Sequence, residues 1–303
     1  MKEAGLMERY QGNGAEAGEP HFTEDETGAT LDGGAAVCRF NSDAGGRLER
    51  WQWRTVPPAA AMRPSTRKEA AQLLDLVNPA GGALVDHFLP LGTRPDAFAQ
   101  GEHQEYGDFV DQPYKRQVVN SGGEIRIGLL RDGAIRAGKR EAEVRMAKSA
   151  AVRPGSSDVA VLYRVINSST RPLQILFAVE FNLYAPGLYA NDELQNTKYE
   201  LDRSQAIQNP KAKIENQENG YYLIDGERPA DPAFSSSDVS PGATMVALVN
   251  PAGEMALQLG WDRECDLWRM PAESGGGVRL LAVWRLQLPP RDNWAMGLWL
   301  APS

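Results

Sequence analysis

Between Leu173 and Leu183 every second residue is large and apolar: Leu173, Ile175, Phe177, Val179, Phe181 and Leu183. A two-residue period places all six on one face of an extended strand, because successive side chains point to opposite sides of it. The opposite face carries Gln174, Glu180 and Asn182, which is the pattern of a strand with one buried side. The same alternation runs through Ile125-Arg126-Ile127-Gly128-Leu129 and Ala142-Glu143-Val144-Arg145-Met146. It returns at Val278, Leu280, Ala282, Trp284, Leu286 and Leu288, with arginines between. A chain patterned this way from about Ala35 onward is an all-β protein.

The connections agree. Asn167-Ser168-Ser169-Thr170-Arg171-Pro172 separates two strong strand runs, and Asp132-Gly133 reads as a second hairpin connection. Leu-Val-Asn-Pro-Ala-Gly occurs at 76–81 and again at 248–253. Nothing around the two copies matches over a longer window, so they read as independent Asn-Pro turns. One helix is expected, from Ser65 to about Leu76, because Thr66 and Glu69 have the spacing of a capping box. Residues 1–34 are rich in Gly, Glu, Asp and Thr and offer little to bury, which predicts a poorly ordered lead-in. The body, 35–303, then reads as one domain with a long polar insertion at 185–243. Within that insertion, Gly220-Tyr221-Tyr222-Leu223-Ile224-Asp225-Gly226 is expected to form a strand.

Composition removes several functional classes. The 32 basic and 40 acidic residues of this 303-residue chain leave a net charge of −8. No dense Lys/Arg stretch is present to neutralise phosphates, so nucleic acid is not an expected partner. No apolar run approaches the roughly 20 residues that span a bilayer, and the first ten residues lack the apolar stretch of a secretion signal. Cytoplasmic residence, with no membrane association, is the expectation. The 2 cysteines, Cys38 and Cys265, are too few for a disulfide framework and read as buried apolar groups. The 3 histidines, His21, His87 and His103, show none of the short spacings used by zinc sites, so no metal is expected. Phosphate-loop, dinucleotide and nucleophile-elbow motifs are absent, and no cofactor is expected.

What remains is carboxylates near aromatic rings, the pairing that binds sugars: carboxylates accept from hydroxyls while flat rings cover the C–H face. Three clusters carry it. After the Gly45-Gly46 turn, Trp51 and Trp53 share one strand face and serve either as a sugar platform or as packing in a core or domain interface. Asp86 and His87 are adjacent, so they point to opposite faces and do not act as a pair. Glu180 and Asn182 share the polar face of their strand. If that face lines a concave surface, Glu180 is a ligand-binding carboxylate or base; otherwise it is an ordinary solvated group.

Taken in order, these clusters resemble a family. Gly45-Gly46-Arg47-Leu48-Glu49-Arg50-Trp51 is similar to a Gly-Gly-x-x-x-Glu-x-Asp opening strand, and Val85-Asp86-His87-Phe88 to an Ile-Asp-His-Phe stretch. Tyr163 to Leu183 is similar to a run with Glu-x-Asn-Leu near its end, and Leu267-Trp268-Arg269-Met270-Pro271 completes the order. Together they resemble the C-terminal β-sandwich of family-57 glycoside hydrolases, the α-amylase and 4-α-glucanotransferase type enzymes. The resemblance implies a galactose-mutarotase-like supersandwich of two large antiparallel sheets, and an α-glucan or maltooligosaccharide as partner. It also implies a catalytic barrel that this chain has no room for ahead of its first strands, so the chain is expected not to cleave glycosidic bonds alone. The family's Arg-Arg-x-Glu-x-Tyr-His stretch is only loosely echoed by Ala61-Met62-Arg63-Pro64. Expected carbohydrate contacts are Trp51, Trp53, Asp86, His87, Glu180, Asn182 and Trp268. The alternatives are an aldose 1-epimerase-like enzyme using His87 and Glu180, and an interaction module that touches no sugar.

Overall fold

The computed structural model describes residues 20–55, 72–78, 80–184, 220–234, 237–249, 256–272 and 277–302. Among these the order is β1 (His21–Glu24), β2 (Gly28–Asp32), β3 (Ala36–Asn41), β4 (Arg47–Thr55), β5 (Gln72–Asp75), β6 (Ala83–Leu89) and helix α1 (Pro95–Ala99). There follow β7 (Lys115–Ser121), β8 (Glu124–Ala137), β9 (Arg140–Val152), β10 (Val159–Asn167) and β11 (Leu173–Tyr184). The last five are β12 (Tyr221–Ile224), β13 (Asp238–Val249), β14 (Ala256–Pro271), β15 (Gly277–Leu288) and β16 (Asn293–Pro302). The pairings are antiparallel, as short connections between sequential strands dictate.

Hydrogen bonding runs continuously along β1-β2-β3-β4-β6-β11-β15-β14-β16-β10-β9-β8-β7. A side-chain contact shows how this ladder is folded. Between β6 and β9 lie six ladder steps, about 29 Å at ~4.8 Å per strand, yet Lys148 Nζ on β9 sits 2.8 Å from Asp86 Oδ2 on β6. The sheet therefore doubles over into two facing layers. β14 carries it across: Leu257–Trp261 pair with β16, while Asp266–Pro271 pair with β15.

The space between the layers is filled by the alternating residues. Ile125, Ile127, Leu129, Val159, Val161, Phe177, Val179 and Phe181 all belong to one buried cluster, each large side chain contributing about 1.5–3 kcal/mol by leaving water. Phe177 is central, with Phe88, Tyr163, Trp284 and Trp294 around its ring. Cys38 and Cys265 are free and buried, and burial pushes both thiols up. A smaller cluster lies on the outer side of β6, β11, β15 and β14, where Leu89, Leu176, Ala178, Trp268, Met270, Leu281 and Val283 pack under Phe98 of α1.

Local departures from the sequence reading have physical causes. Asp132-Gly133 is not a turn; both lie inside β8 opposite Arg145 and Val144, and the connection to β9 comes at Gly138-Lys139. Gly133 is needed for close approach instead, since a Cβ there would fall 2.7 Å from the Phe109 ring. The expected helix ends in strand: Gln72–Asp75 pair with β4, and the Gln52 amide donates to Asp75 Oδ1 at 2.9 Å. A short apolar run carries no decisive period, and ladder pairing overrides its helical propensity. The start of that expected helix lies outside the described residues; the helix present among them is α1. Among the described residues the first strand starts at His21, ahead of the expected Ala35. The Gly- and Thr-rich composition masks an alternating strand with Ala29 and Leu31 fully buried, and the edge is tied down by Arg39 and Arg116 to Asp25 and Glu24. Residues 1–19 and 185–219 lie outside the described residues. The strand expected near Tyr221 is β12, paired with β13. At the first Asn-Pro motif Asn78 makes the turn, its Oδ1 accepting from the Ala80 amide; the turn of the second copy lies outside the described residues. No helix among the described residues is long and apolar enough to cross a membrane.

Candidate functional site

Strand β6 is the axis of the polar chemistry, because its alternation sends neighbouring residues to two different environments. Asp86 points between the layers, where it is sealed from solvent with Lys148. The Tyr114 hydroxyl donates to Asp86 Oδ2 at 2.9 Å, and Lys148 Nζ donates to the Leu84 carbonyl at 2.8 Å. The ammonium also lies 5.3 Å from the Tyr114 ring and 5.9 Å from the Tyr163 ring. Burial pushes Lys148 below the ordinary lysine range while Asp86 opposes that shift. Burial and the Asp86 charge raise the Tyr114 phenol.

His87 points the other way, onto the outer side of the β6-β11-β15-β14 layer. Its Nε2 meets Glu180 Oε2 at 2.9 Å and its Nδ1 meets Glu105 Oε2 at 2.9 Å. Glu180 Oε1 accepts from Arg279 Nε at 2.7 Å and from Asn182 Nδ2 at 3.1 Å. Glu105 is held by the backbone, its Oε1 accepting from the amides of Phe88 at 2.7 Å and Gly107 at 3.1 Å. Burial alone would disfavour a charged imidazole, but the bonds and charges of Glu105 and Glu180 outweigh it and raise His87 to about 9. Burial likewise works against ionised Glu180, and His87 with Arg279 reverse it, holding the carboxyl down at about 2.

Phe98 closes the cluster. Its ring meets His87 edge-on at 5.1 Å, stacks on His103 at 4.3 Å and approaches Trp268 at 6.3 Å, with the Arg279 guanidinium 4.9 Å from its centroid. Beside it an open cleft of about 380 Å³ is lined by Pro90, Thr93, Arg94, Ala97, Glu102, His103 and Gln104.

Of the residues singled out in the sequence, the fold brings His87, Glu180 and Asn182 into direct contact and Trp268 to the other side of Phe98. Asp86 is kept apart from them, as alternation requires. Trp51 is in the core, fully buried, its indole N–H donating to the Ser157 carbonyl at 3.3 Å; this removes its ring from ligand stacking. Trp53 is half-buried against the same core. Nothing in the sequence singled out Glu105, Phe98 or Arg279, and His103 was marked only as a histidine without the spacing of a zinc site. Glu105, His103 and Phe98 sit in or beside the 90–110 connection, which has no period to read. Arg279 was visible only as one of the two arginines in β15. Lys148 did leave a signal: it occupies an inward position of β9, in line with Val144, Met146, Ala150 and Val152.

Comparison with known proteins supplies the family. The model of the C-terminal region of alpha-amylase/4-alpha-glucanotransferase matches residues 63–215, which contain Asp86, His87, His103, Glu105, Lys148 and Glu180. The chain belongs to this family. The fold is similar to 4-alpha-glucanotransferase from Thermococcus litoralis, with a TM-score of 0.59, 15% identity, and coverage of 93% of this chain and 41% of that one. It is equally similar to a galactose mutarotase-like protein from Clostridium acetobutylicum, with a TM-score of 0.59, 9% identity, and coverage of 94% and 99%. The chain thus spans about two fifths of the length of the glucanotransferase. At these identities the likeness is one of fold, a galactose-mutarotase-like all-β architecture. No curated protein matches the sequence.

Proposed function

We propose that this chain acts as the accessory β-sandwich of an α-glucan-processing enzyme of the family-57 type, contacting glucan or bracing the catalytic barrel, without cleaving glycosidic bonds itself. The observation that carries this reading, beside family membership, is the closure of His87 onto Glu180 at 2.9 Å. Epimerisation of an aldose needs an acid and a base on either side of a sugar ring. Here the candidate pair bond each other, their remaining polar atoms are occupied by Glu105, Arg279 and Asn182, and Phe98 covers them. The same satisfied network suits a rigid support for the 90–110 connection, whose open cleft offers Thr93, Arg94, Glu102 and Gln104 to sugar hydroxyls. Trp53 and Asn182 are further contacts for glucan or for a barrel; Trp268 contributes through Phe98.

The test is calorimetric titration of the chain with maltoheptaose beside assays of disproportionation and starch hydrolysis. No turnover is expected, with binding at a Kd of about 0.1–1 mM, equivalent to roughly −5.5 to −4 kcal/mol. Arg94→Ala combined with Gln104→Ala should weaken that binding severalfold. Turnover by the isolated chain contradicts the accessory reading, and absence of binding removes its glucan-contacting half.

A further inference from the structure

We propose that His87, His103 and Glu105 form a divalent-cation site of the zinc type, with Glu180 orienting His87 from behind. The sequence hides this site, since the two histidines are far apart on the chain and come from a strand and a loop. The fold brings their ring centroids to 6.2 Å. One ligand atom from each of the three residues lies within 4.8 Å of the others. A tetrahedral zinc site with bonds near 2.1 Å needs ligand atoms about 3.4 Å apart. The remaining contraction falls on Glu105 and His103, which lie in a loop, while His87 is fixed in β6.

Three independent features match such a site. His103 Nδ1 is buried and has no hydrogen-bond partner among the described residues, which leaves a nitrogen whose desolvation nothing on the protein offsets. His87 has the outer-shell partner typical of a metal-bound imidazole: a carboxylate, Glu180, accepts from Nε2, while Nδ1 lies 2.9 Å from Glu105 Oε2, where a cation would replace the shared proton. Glu105 is itself aimed by two backbone amides on Oε1, which presents Oε2 to the cluster. As the cluster stands, His87 and Arg279 balance Glu105 and Glu180; a cation bound between Nδ1 and Glu105 takes the place of the Nδ1 proton, which it releases to solvent. Two imidazoles and one carboxylate are the donor set of zinc sites that keep a fourth position open. The exposed side of Glu105 and the cleft at His103 give that position access to water or to a ligand hydroxyl. This site is separate from the glucan-binding reading and stands or falls without it.

The experiment is titration of the metal-free chain with Zn²⁺ by calorimetry, paralleled by Co²⁺ with its visible absorption recorded. The expected result is one saturable site per chain and a four-coordinate Co²⁺ spectrum. His103→Ala removes a half-exposed ring, so it should fold as the parent does, checked by far-ultraviolet circular dichroism, and should weaken Zn²⁺ at least tenfold. Glu180→Gln should weaken it by about 10- to 100-fold. His21→Ala, on the exposed edge strand, should leave it unchanged. Absence of a saturable site, or Zn²⁺ binding by folded His103→Ala equal to that of the parent, overturns the proposal.

Discussion

Asp86 and His87 are neighbours on β6, and the two charged clusters they nucleate differ in almost every physical respect. Asp86 and Lys148 form a sealed pair between the layers, with 0% and 1% side-chain exposure. There is no solvent to compensate either charge if the other is lost. His87 bonds both Glu105 and Glu180, of which Glu105 remains 25% exposed, so loss of one partner leaves the other and water nearby. The two-residue period of the strand thus produces a sealed pair on one side and a solvent-reaching cluster on the other. The Asp86–Lys148 pair bridges the two layers, and the His87 cluster is the one that solvent reaches.

The comparison makes graded predictions. Lys148→Met leaves Asp86 buried without its partner and should cost about 3–5 kcal/mol, measured by urea unfolding. Adding Asp86→Leu should recover most of that, since an apolar pair of similar volume needs no compensation. Equal losses in the single and double variants would show that the pair is not what the core depends on. Phe177→Ala, which opens the same core without touching charge, should also cost about 3–5 kcal/mol; under 1 kcal/mol would mean the buried face is misassigned. On the outer cluster Glu180→Gln should cost less, about 1–3 kcal/mol. This cluster should also be the pH-sensitive one. Since His87 is raised from 6.5 to about 9, its stabilisation is complete below pH 6.5 and is lost as pH rises through 9. Glu180, lowered to about 2 from 4.5, contributes above pH 4.5 and loses that as pH falls through 2. Denaturation midpoints from pH 6.5 to 9 should therefore fall in the parent and fall less in Glu180→Gln; identical profiles would break the assignment. The smallest effect belongs to the exposed Arg94–Asp96 pair at 3.0 Å, where solvent screens both charges and Asp96→Ala should leave the urea midpoint essentially where it is in the parent.

How much of this was legible in the sequence follows the same division. Strands β8 and β9 were readable because one buried face imposes a strict period; β11 and β15 keep that period on their inner face although their outer face is buried as well, under Phe98, and the opposite orientations of Asp86 and His87 follow from strand alternation alone. The shared face of Glu180 and Asn182 was readable for the same reason, and the fold turns it into a 3.1 Å hydrogen bond. Unreadable were the features set by non-local geometry. Gln72–Asp75 looked helical because its pairing with β4 is invisible locally. Asp132-Gly133 looked like a turn because the approach of Phe109 is a tertiary fact. Trp51 had the pattern of a platform and is core, since two facing layers, and not one strand, decide what is buried. His103 and Glu105 reach His87 through a loop, and no spacing rule encodes that route.

In the proposed role His87 and Glu180 are bonded to each other as support and do not work as an acid and base across a sugar. Polarimetry of freshly dissolved glucose and galactose, with and without the chain and with its Glu180→Gln variant, tests it most directly. The account predicts the same mutarotation rate in all three samples. Acceleration by the parent chain that Glu180→Gln abolishes would contradict it.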